Sequence, residues 1–197
     1  MNKIEYLKKI RELYIVIDMI NGFVKEGKMA APSIMRIVPT QYEILNSADK
    51  KADAGIAFVR DSHKKKSQEF KTYAEHCIEG TKETEVIDEL QKFIPNSIQY
   101  LKNNTNVMFA PNIQEDLLNA ENLKKIKVMG CLSDYCAKDA AIGLRCFLDQ
   151  YDKDIEVCVY EDAIDTFDAP GHNADEINKI SVEEMKSRGI KILRKER

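Results

Sequence analysis

A cysteine at the start of a predicted helix is the residue in this sequence best suited to do chemistry. Residues 126–129 form a short apolar run, and residues 137–148 then repeat apolar side chains with a period near 3.6. This pattern predicts a strand, a turn and a helix. Ser133 and Asp134 are typical helix caps, so Cys136 is expected in the first turn, where the helix dipole favours a thiolate. The alternative is a small, buried and unreactive cysteine.

Three polar residues follow other predicted strands and are expected to lie near Cys136. Asp18, Asp61 and Lys102 each come directly after a short apolar or β-rich run. Because the carboxyl ends of parallel strands lie along one edge of a sheet, residues distant in sequence can meet there. A thiol beside a carboxylate and an ammonium group suits an amidase, in which the carboxylate moves the proton and the thiolate attacks a carbonyl carbon. The alternative for Asp18 taken alone is an Asx-turn or a helix cap.

The polar stretch from 61 to 81 carries a group of potential metal ligands. They are Asp61, His63, Glu69 and His76. Carboxylates and imidazoles can hold a divalent metal, and a loop this long in a compact domain is usually functional or disordered. The alternative is a solvated loop in which lysines 64–66 pair with the acids.

Predicted strands and helices alternate along the chain. This predicts an α/β fold of three layers (αβα), with a mostly parallel, doubly wound sheet of about six strands. The predicted strands are residues 13–17, 56–60, 97–101, 126–129, 155–160 and 190–193, and the predicted helices are residues 2–12, 33–52, 83–93, a segment around 117–118, 137–148 and 173–188. The glycine motifs of dinucleotide and nucleotide sites, GxGxxG and GxxxxGKS or GxxxxGKT, are absent from the sequence.

Composition points to one cytoplasmic domain spanning residues 1–197. The net charge of −3 argues against a nucleic-acid surface. The sequence has no apolar run near the ~18 residues that a membrane span needs, and its N-terminus lacks the apolar core of a secretion signal. The five cysteines are odd in number and lack CxxC spacing, so we expect free thiols.

Four motifs together resemble the isochorismatase-like cysteine hydrolases, and specifically their nicotinamidase branch. They are IDMINGF, RDSH with a later EHCIEGT, LKNNTN, and GCLSDYCAKDAA, and the resemblance runs from about residue 13 to residue 193. It implies that Asp18 accepts and donates the proton, that Lys102 completes the triad and that Cys136 is the nucleophile. It also implies a cis peptide between Cys131 and Leu132, with the backbone N–H groups of Leu132 and Cys136 forming an oxyanion hole.

The resemblance further implies a divalent metal that binds the ring nitrogen of the substrate. Zinc is expected first, with iron or manganese as alternatives, and Asp61, His63 and His76 match three of the ligands. Many members carry a further histidine where this chain has Ser67. Glu69 is therefore assigned as the fourth ligand on its spacing from His76.

Three aromatic residues match positions that surround the substrate ring in this branch: Phe23, Tyr73 and Phe109. The alternative for each is structural packing. The predicted reaction is the hydrolysis of nicotinamide to nicotinate and ammonia through a thioester. A related cysteine hydrolase acting on another small amide, ureido or isochorismate-like compound is the first alternative, and a non-catalytic thiol redox sensor is the second. The small-molecule substrate is the expected partner, and the resemblance suggests a homo-oligomer.

Overall fold

Six parallel strands form one sheet in the computed structural model, which describes residues 3–196. The strands are β1 (Glu12–Ile17), β2 (Ala54–Asp61), β3 (Ile98–Lys102), β4 (Lys125–Cys131), β5 (Glu156–Asp165) and β6 (Lys191–Leu193). Their order in the sheet is β3-β2-β1-β4-β5-β6, and each neighbouring pair is parallel. Five of the six residues of β1 are buried, as expected for an apolar strand covered on both faces.

Helices cover both faces of this sheet, which confirms the predicted three-layer α/β fold. The α-helices are α1 (Lys3–Lys9), α2 (Asn21–Val24), α3 (Val38–Ala48), α4 (Ile113–Asn119), α5 (Cys136–Gln150) and α6 (Ala174–Ser187). One apolar core lies between the sheet and α1, α4, α5 and α6, and a second lies between the opposite face and α3. The chain visits β2 and β3 on one side of β1 before it returns to β4 on the other side, so the winding reverses between β1 and β4.

Two predicted helices are replaced wholly or partly by 3₁₀ turns. The predicted helix 33–52 is a 3₁₀ segment, Pro32–Ile37, followed by α3, and Pro39 lies in the first turn of α3, where its missing N–H is not needed. The predicted helix 83–93 consists of 3₁₀ turns at Lys82–Thr84 and Asp88–Asn96. The intervening backbone is extended because it pairs with the loop after β1, where the Ile87 N–H donates to the Met19 carbonyl at 3.1 Å.

Strand β5 is longer than the predicted strand 155–160. The register between β4 and β5 shifts, because β4 advances from Val128 to Gly130 while β5 advances from Val159 to Ile164. Residues 161 and 162, expected just past the strand, therefore lie inside it. The extension brings Asp165 beside Cys131 at the carboxyl edge of the sheet.

The N-terminal segment folds against the body as α1. The prediction of a helix over residues 2–12 is confirmed for Lys3–Lys9, whereas residue 2 lies outside the described residues. Residues 1 and 197 of the predicted domain also lie outside them. Within residues 3–196, no helix combines the length and the apolar character that crossing a membrane requires.

Gly130 allows β4 to approach β1 at the point where the register shifts. Its φ is +126°, and a Cβ built on it would lie 2.0 Å from the carbonyl oxygen of Ile17. No side chain fits there without moving a central strand. Gly189 also has a positive φ, +78°, but a Cβ at that position would meet nothing within 4 Å.

We expect Gly130→Ala to lower the free energy of unfolding by more than about 2 kcal/mol, because it adds a backbone clash to the strained φ. Gly189→Ala is the matched control, and the strained φ alone is expected to cost about 1 kcal/mol there. Urea denaturation of both variants measures the difference. Equal losses for the two variants would contradict the close approach at Gly130.

Candidate active site and metal centre

The carboxyl edge of the sheet brings four predicted site residues together. Asp18 directly follows β1, Asp61 ends β2 and Lys102 ends β3. Cys136 is the first residue of α5, which follows β4. All four are nearly inaccessible, with Cys136 the most exposed at 6%. The site lies where the winding of the sheet reverses, which is where open α/β sheets bind their ligands.

The ammonium group of Lys102 contacts the other three side chains. Its Nζ lies 2.7 Å from Asp18 Oδ2 and 2.5 Å from Asp61 Oδ1. The same Nζ lies 3.6 Å from Cys136 Sγ. The other oxygen of Asp18 accepts a hydrogen bond from the Asp61 backbone N–H at 2.9 Å. The structure therefore brings the predicted acid, amine and thiol into one contacting group.

Burial and mutual attraction set the charges in this group. Although burial alone would lower it, the pKa of Lys102 stands well above its usual value because of Asp18 and Asp61. Burial and the nearby Asp61 carboxylate raise the pKa of Asp18 to about 7. Burial also raises the pKa of the Cys136 thiol well above its usual value, with Lys102 opposing the change. Burial thus outweighs the ionising effect expected of the helix N-terminus, and the thiol needs a neighbouring base to lose its proton.

The turn before Cys136 is not held by the predicted helix caps. Tyr135 occupies the capping position of α5, and its side chain makes no cap hydrogen bond. The hydroxyl of Ser133 hydrogen-bonds Asn178, and the Ser133 N–H donates to the Asp165 carbonyl at 2.9 Å. The turn is therefore tied to α6 and to the end of β5, because β5 extends far enough to reach it.

The same turn leaves two backbone N–H groups without a hydrogen-bond acceptor among residues 3–196. The peptide between Cys131 and Leu132 is cis, as the resemblance implied. The carbonyl of Leu132 accepts from the N–H of Ala137 at 3.0 Å. Among the hydrogen bonds of residues 3–196, none has the N–H of Leu132 or that of Cys136 as its donor. Both amides can therefore donate to a bound oxygen atom.

A set of three metal-ligand side chains adjoins the thiol. Asp61, His63 and His76 offer ligand atoms that all lie within 4.8 Å of one another, and all three residues are buried. The Nε2 atom of His63 lies 3.4 Å from Asp61 Oδ2, and that of His76 lies 3.9 Å from the same oxygen. Asp61 thus faces both Lys102 and the two imidazoles.

Neighbouring oxygens orient both imidazoles for metal binding. The Nδ1 of His63 lies 3.0 Å from the side-chain oxygen of Asn103, and the Nδ1 of His76 lies 2.7 Å from the Ala74 carbonyl. An oxygen acceptor at Nδ1 places the hydrogen there and leaves Nε2 with its lone pair. The buried Nε2 of His63 has no hydrogen-bond partner among the described residues. A divalent cation between these groups fits this donor set.

The structure does not bring Glu69 into the metal-ligand set. Its carboxylate lies 3.8 Å from Nδ1 of His63, which is the nitrogen already facing Asn103. Glu69 belongs to the 3₁₀ turn Gln68–Lys71, and its carboxylate is near Nδ1 of the ring, whereas Asp61 is near Nε2. The predicted fourth ligand instead lines the neighbouring cavity.

A cavity of about 140 Å³ opens beside Cys136 and has mostly apolar and aromatic walls. Phe23 and Tyr73 line it as predicted. The prediction for Phe109 is wrong, since its side chain is 70% exposed and outside the cavity. Phe109 ends the 3₁₀ turn Val107–Phe109, in which the first two residues take the buried positions. The cavity residues are Phe23, Met29, Asp61, Glu69, Tyr73, His76, Thr105, Leu132, Tyr135, Cys136 and Phe167.

Several residues of the site were not predicted from the sequence. Asn103 directly follows Lys102 in the motif LKNNTN, and its position after a strand was the available signal. Tyr135 directly precedes the nucleophile, so its proximity could also have been anticipated. Phe167 gave no such signal, because the strand before it was expected to end at residue 160.

The fold and the site define a class: an α/β protein with buried cysteine, aspartate and lysine side chains in contact, next to an aspartate and two histidines. Residues 12–196 match the Isochorismatase domain, and the chain belongs to the isochorismatase family. The predicted family and enzyme class, an amide hydrolase, are confirmed at this level.

Known relatives agree with this assignment. Nicotinamidase 3 of Arabidopsis thaliana is 26% identical over 169 residues, covering 83% of this chain and 78% of that protein. The pyrazinamidase of Pyrococcus horikoshii, solved in complex with zinc, is 25% identical with a TM-score of 0.76, covering 94% of this chain and 99% of that one. The N-carbamoylsarcosine amidase of Thermoplasma acidophilum is 21% identical with a TM-score of 0.74, covering 94% and 96%, and shares the fold.

We expect Lys102→Met to lower the free energy of unfolding by about 3–5 kcal/mol, because it leaves Asp18 and Asp61 buried together without their shared cation. The double variant Lys102→Met/Asp18→Asn should recover part of this loss, since one of the two like charges is then gone. Urea denaturation of the single and double variants measures both free energies of unfolding. A Lys102→Met protein as stable as the wild type would contradict this account of the site.

Proposed function

We propose that the protein is a metal-assisted cysteine amidohydrolase that converts nicotinamide and water to nicotinate and ammonia. The observation that carries the proposal is the contact of Lys102 Nζ with both Asp18 and Cys136, beside an aromatic cavity that also reaches Asp61 and His76. The similarity to a nicotinamidase and to a pyrazinamidase supports a small aromatic amide as substrate.

Asp18 moves the proton in this mechanism. Its carboxylate takes the proton of the Cys136 thiol as the sulfur attacks the amide carbon, which forms the C–S bond of a tetrahedral intermediate. Asp18 then gives that proton to the leaving nitrogen, the C–N bond breaks, and ammonia departs from a thioester. Asp18 next takes a proton from water, whose oxygen attacks the thioester carbon. The C–S bond breaks, the acid is released and the sulfur is protonated again.

The backbone amides before α5 and the Lys102 cation stabilise the charges that develop. The N–H groups of Leu132 and Cys136 are free to donate to the oxyanion, and one such donor is typically worth about 3 kcal/mol. Lys102 remains charged between Asp18 and Asp61, and it stabilises the sulfur as the thiol loses its proton.

Asp61, His63 and His76 would hold the divalent metal, and zinc suits a set of imidazole and carboxylate donors. When bound, the metal would act as a Lewis acid toward the ring nitrogen of the substrate. Iron or manganese are the alternatives. Zinc is supported by its presence in the Pyrococcus horikoshii pyrazinamidase.

The walls of the cavity suit a flat aromatic substrate. Phe23, Tyr73 and Phe167 contribute aromatic faces and edges, and Leu132 adds an apolar contact. Aromatic rings favour stacked or edge-to-face contacts with another ring. Asp61 and His76 also line the same cavity, so a ring with one basic nitrogen matches both the aromatic and the polar residues.

We expect the purified protein to release ammonia from nicotinamide, and Cys136→Ala to abolish the release because the thioester cannot form. Asp18→Asn should reduce kcat by at least about 100-fold, since general acid–base catalysis typically contributes that much. A coupled ammonia assay measures all three proteins. The control is Lys138→Gln, which removes a surface ion pair with Glu184 away from the cavity.

The choice of substrates separates the alternatives. Turnover of other small amides without turnover of nicotinamide would support a related hydrolase instead. No turnover of any amide, together with reversible oxidation of the thiols, would support a redox sensor.

We expect His63→Ala to abolish stoichiometric zinc binding, whereas Glu69→Gln retains it, because Glu69 lies outside the set of three. Asn103→Ala should weaken zinc binding by about 10–100-fold, since it removes the acceptor that orients His63. Isothermal titration with zinc measures the three affinities. If Glu69→Gln abolished zinc binding while His63→Ala retained it, the assignment of ligands would be wrong.

A further inference from the structure

A cluster of side chains at the Phe167 wall of the cavity includes three residues, Asp134, Thr166 and His172, that the proposed reaction does not use. Asp134 lies in the turn two residues before Cys136. Thr166 and Phe167 directly follow β5, and His172 lies in the loop that leads to α6. The cluster therefore joins three segments of the chain at the carboxyl edge of the sheet.

His172 hydrogen-bonds an acceptor at each of its ring nitrogens. Its Nε2 lies 2.8 Å from Asp134 Oδ2, and its Nδ1 lies 2.9 Å from the backbone carbonyl oxygen of Phe167. Neither an ionised carboxylate nor a carbonyl can donate. Both hydrogen bonds exist together only when both nitrogens carry hydrogen, so the geometry requires the imidazolium form of His172. The neutral ring must lose one of the two bonds.

One partner of His172 is a cavity residue, and the other is the chain neighbour of one. Phe167 lines the cavity, and its ring stacks on the imidazole with centroids 4.1 Å apart and planes at 4°. A cation over an aromatic face is attracted to it. Asp134 adjoins Tyr135, another cavity residue, and its second oxygen accepts from the hydroxyl of Thr166 at 2.6 Å.

The charges around His172 favour the cation. Although burial opposes it, the hydrogen bonds to Asp134 and to the Phe167 carbonyl raise the pKa of His172 above its usual value. Asp168, on the same loop, accepts from the Ala174 N–H at 2.8 Å. From the neighbouring elements, Asp165 of β5 and Asp175 of α6 are both paired with Arg36, so Asp134 is the principal counter-ion.

We propose that protonated His172 is a positioning residue that ties the turn before Cys136 to the Phe167 wall of the cavity. Deprotonation frees one of these two connections, and the oxyanion donors and the aromatic wall are then held less firmly against each other. The contribution of His172 to kcat/KM, measured as the ratio of the wild type to a variant without the imidazole, therefore falls as the pH rises through the pKa of His172. This consequence rests on the proposed function, whereas the double hydrogen bond does not.

The protonation state can be read directly. Long-range ¹H–¹⁵N NMR correlates the ring nitrogens of a histidine with its carbon-bound protons, and the signals of His172 are assigned by their loss in His172→Gln. We expect two protonated nitrogens for His172 at pH 6, with a titration midpoint above that of an exposed histidine. A single protonated nitrogen at pH 6 would overturn the inference.

Kinetics test the consequence for catalysis. Gln can replace one of the two hydrogen bonds but not both, so kcat/KM of His172→Gln should be about tenfold lower than that of the wild type at pH 6. The two kcat/KM values should become equal by pH 9, where His172 of the wild type has also lost one of its two hydrogen bonds. Because Phe167 contacts substrate and the turn carries oxyanion donors, we expect KM to rise and kcat to fall.

Asp168→Ala is the matched control, since it loosens the same loop at Ala174 without touching Asp134. Its activity relative to the wild type should not change with pH. A ratio for His172→Gln that is also independent of pH would reduce His172 to a structural residue and overturn the inference. If the wild type hydrolyses no small amide, the proposed function and the catalytic consequence fail together, while the NMR result still decides whether the imidazolium bridge exists.

Discussion

One buried ammonium group shared by two carboxylates and a thiol is the interaction on which the site depends. Lys102 Nζ lies within 2.7 Å of oxygens from both Asp18 and Asp61, and none of these side chains has more than slight contact with solvent. Without the cation, two negative charges would face each other away from water, which is strongly unfavourable. With the cation in place, the Asp18 carboxylate can accept the proton of the thiol while the Asp61 carboxylate faces the two imidazoles.

Hydrogen-bond acceptors give the three histidines different roles in the same protein. His63 and His76 each have an oxygen acceptor at Nδ1, which leaves Nε2 directed at Asp61. His172 has an acceptor at both nitrogens and is therefore held as a cation. His63 and His76 thus suit a metal site, whereas His172 suits an ionic connection, because the surrounding acceptors determine which ring nitrogens carry hydrogen.

Sequence patterns were sufficient for the sheet and for the central contacts of the site, because apolar runs identify buried strands and parallel strands end at one edge. The contacts of Asp18, Lys102 and Cys136 follow from that rule. The positions of Glu69 and Phe109 do not, since each belongs to a single 3₁₀ turn whose direction depends on tertiary packing. The same limit applies to the turn before α5. Its predicted cap Ser133 hydrogen-bonds Asn178 of α6 and Asp165 at the end of β5. The extension of β5 arises from a register shift that periodicity does not reveal.

The central claim is that the sulfur of residue 136 bonds covalently to the acyl group of the substrate. Rapid-quench mass spectrometry of the enzyme during turnover of nicotinamide, followed by peptide mapping, tests it most directly. The account predicts a nicotinoyl adduct on the peptide that contains Cys136, lost on treatment with hydroxylamine as a thioester is. Ammonia release at full rate with no adduct on that peptide, and with activity retained in Cys136→Ala, would contradict it.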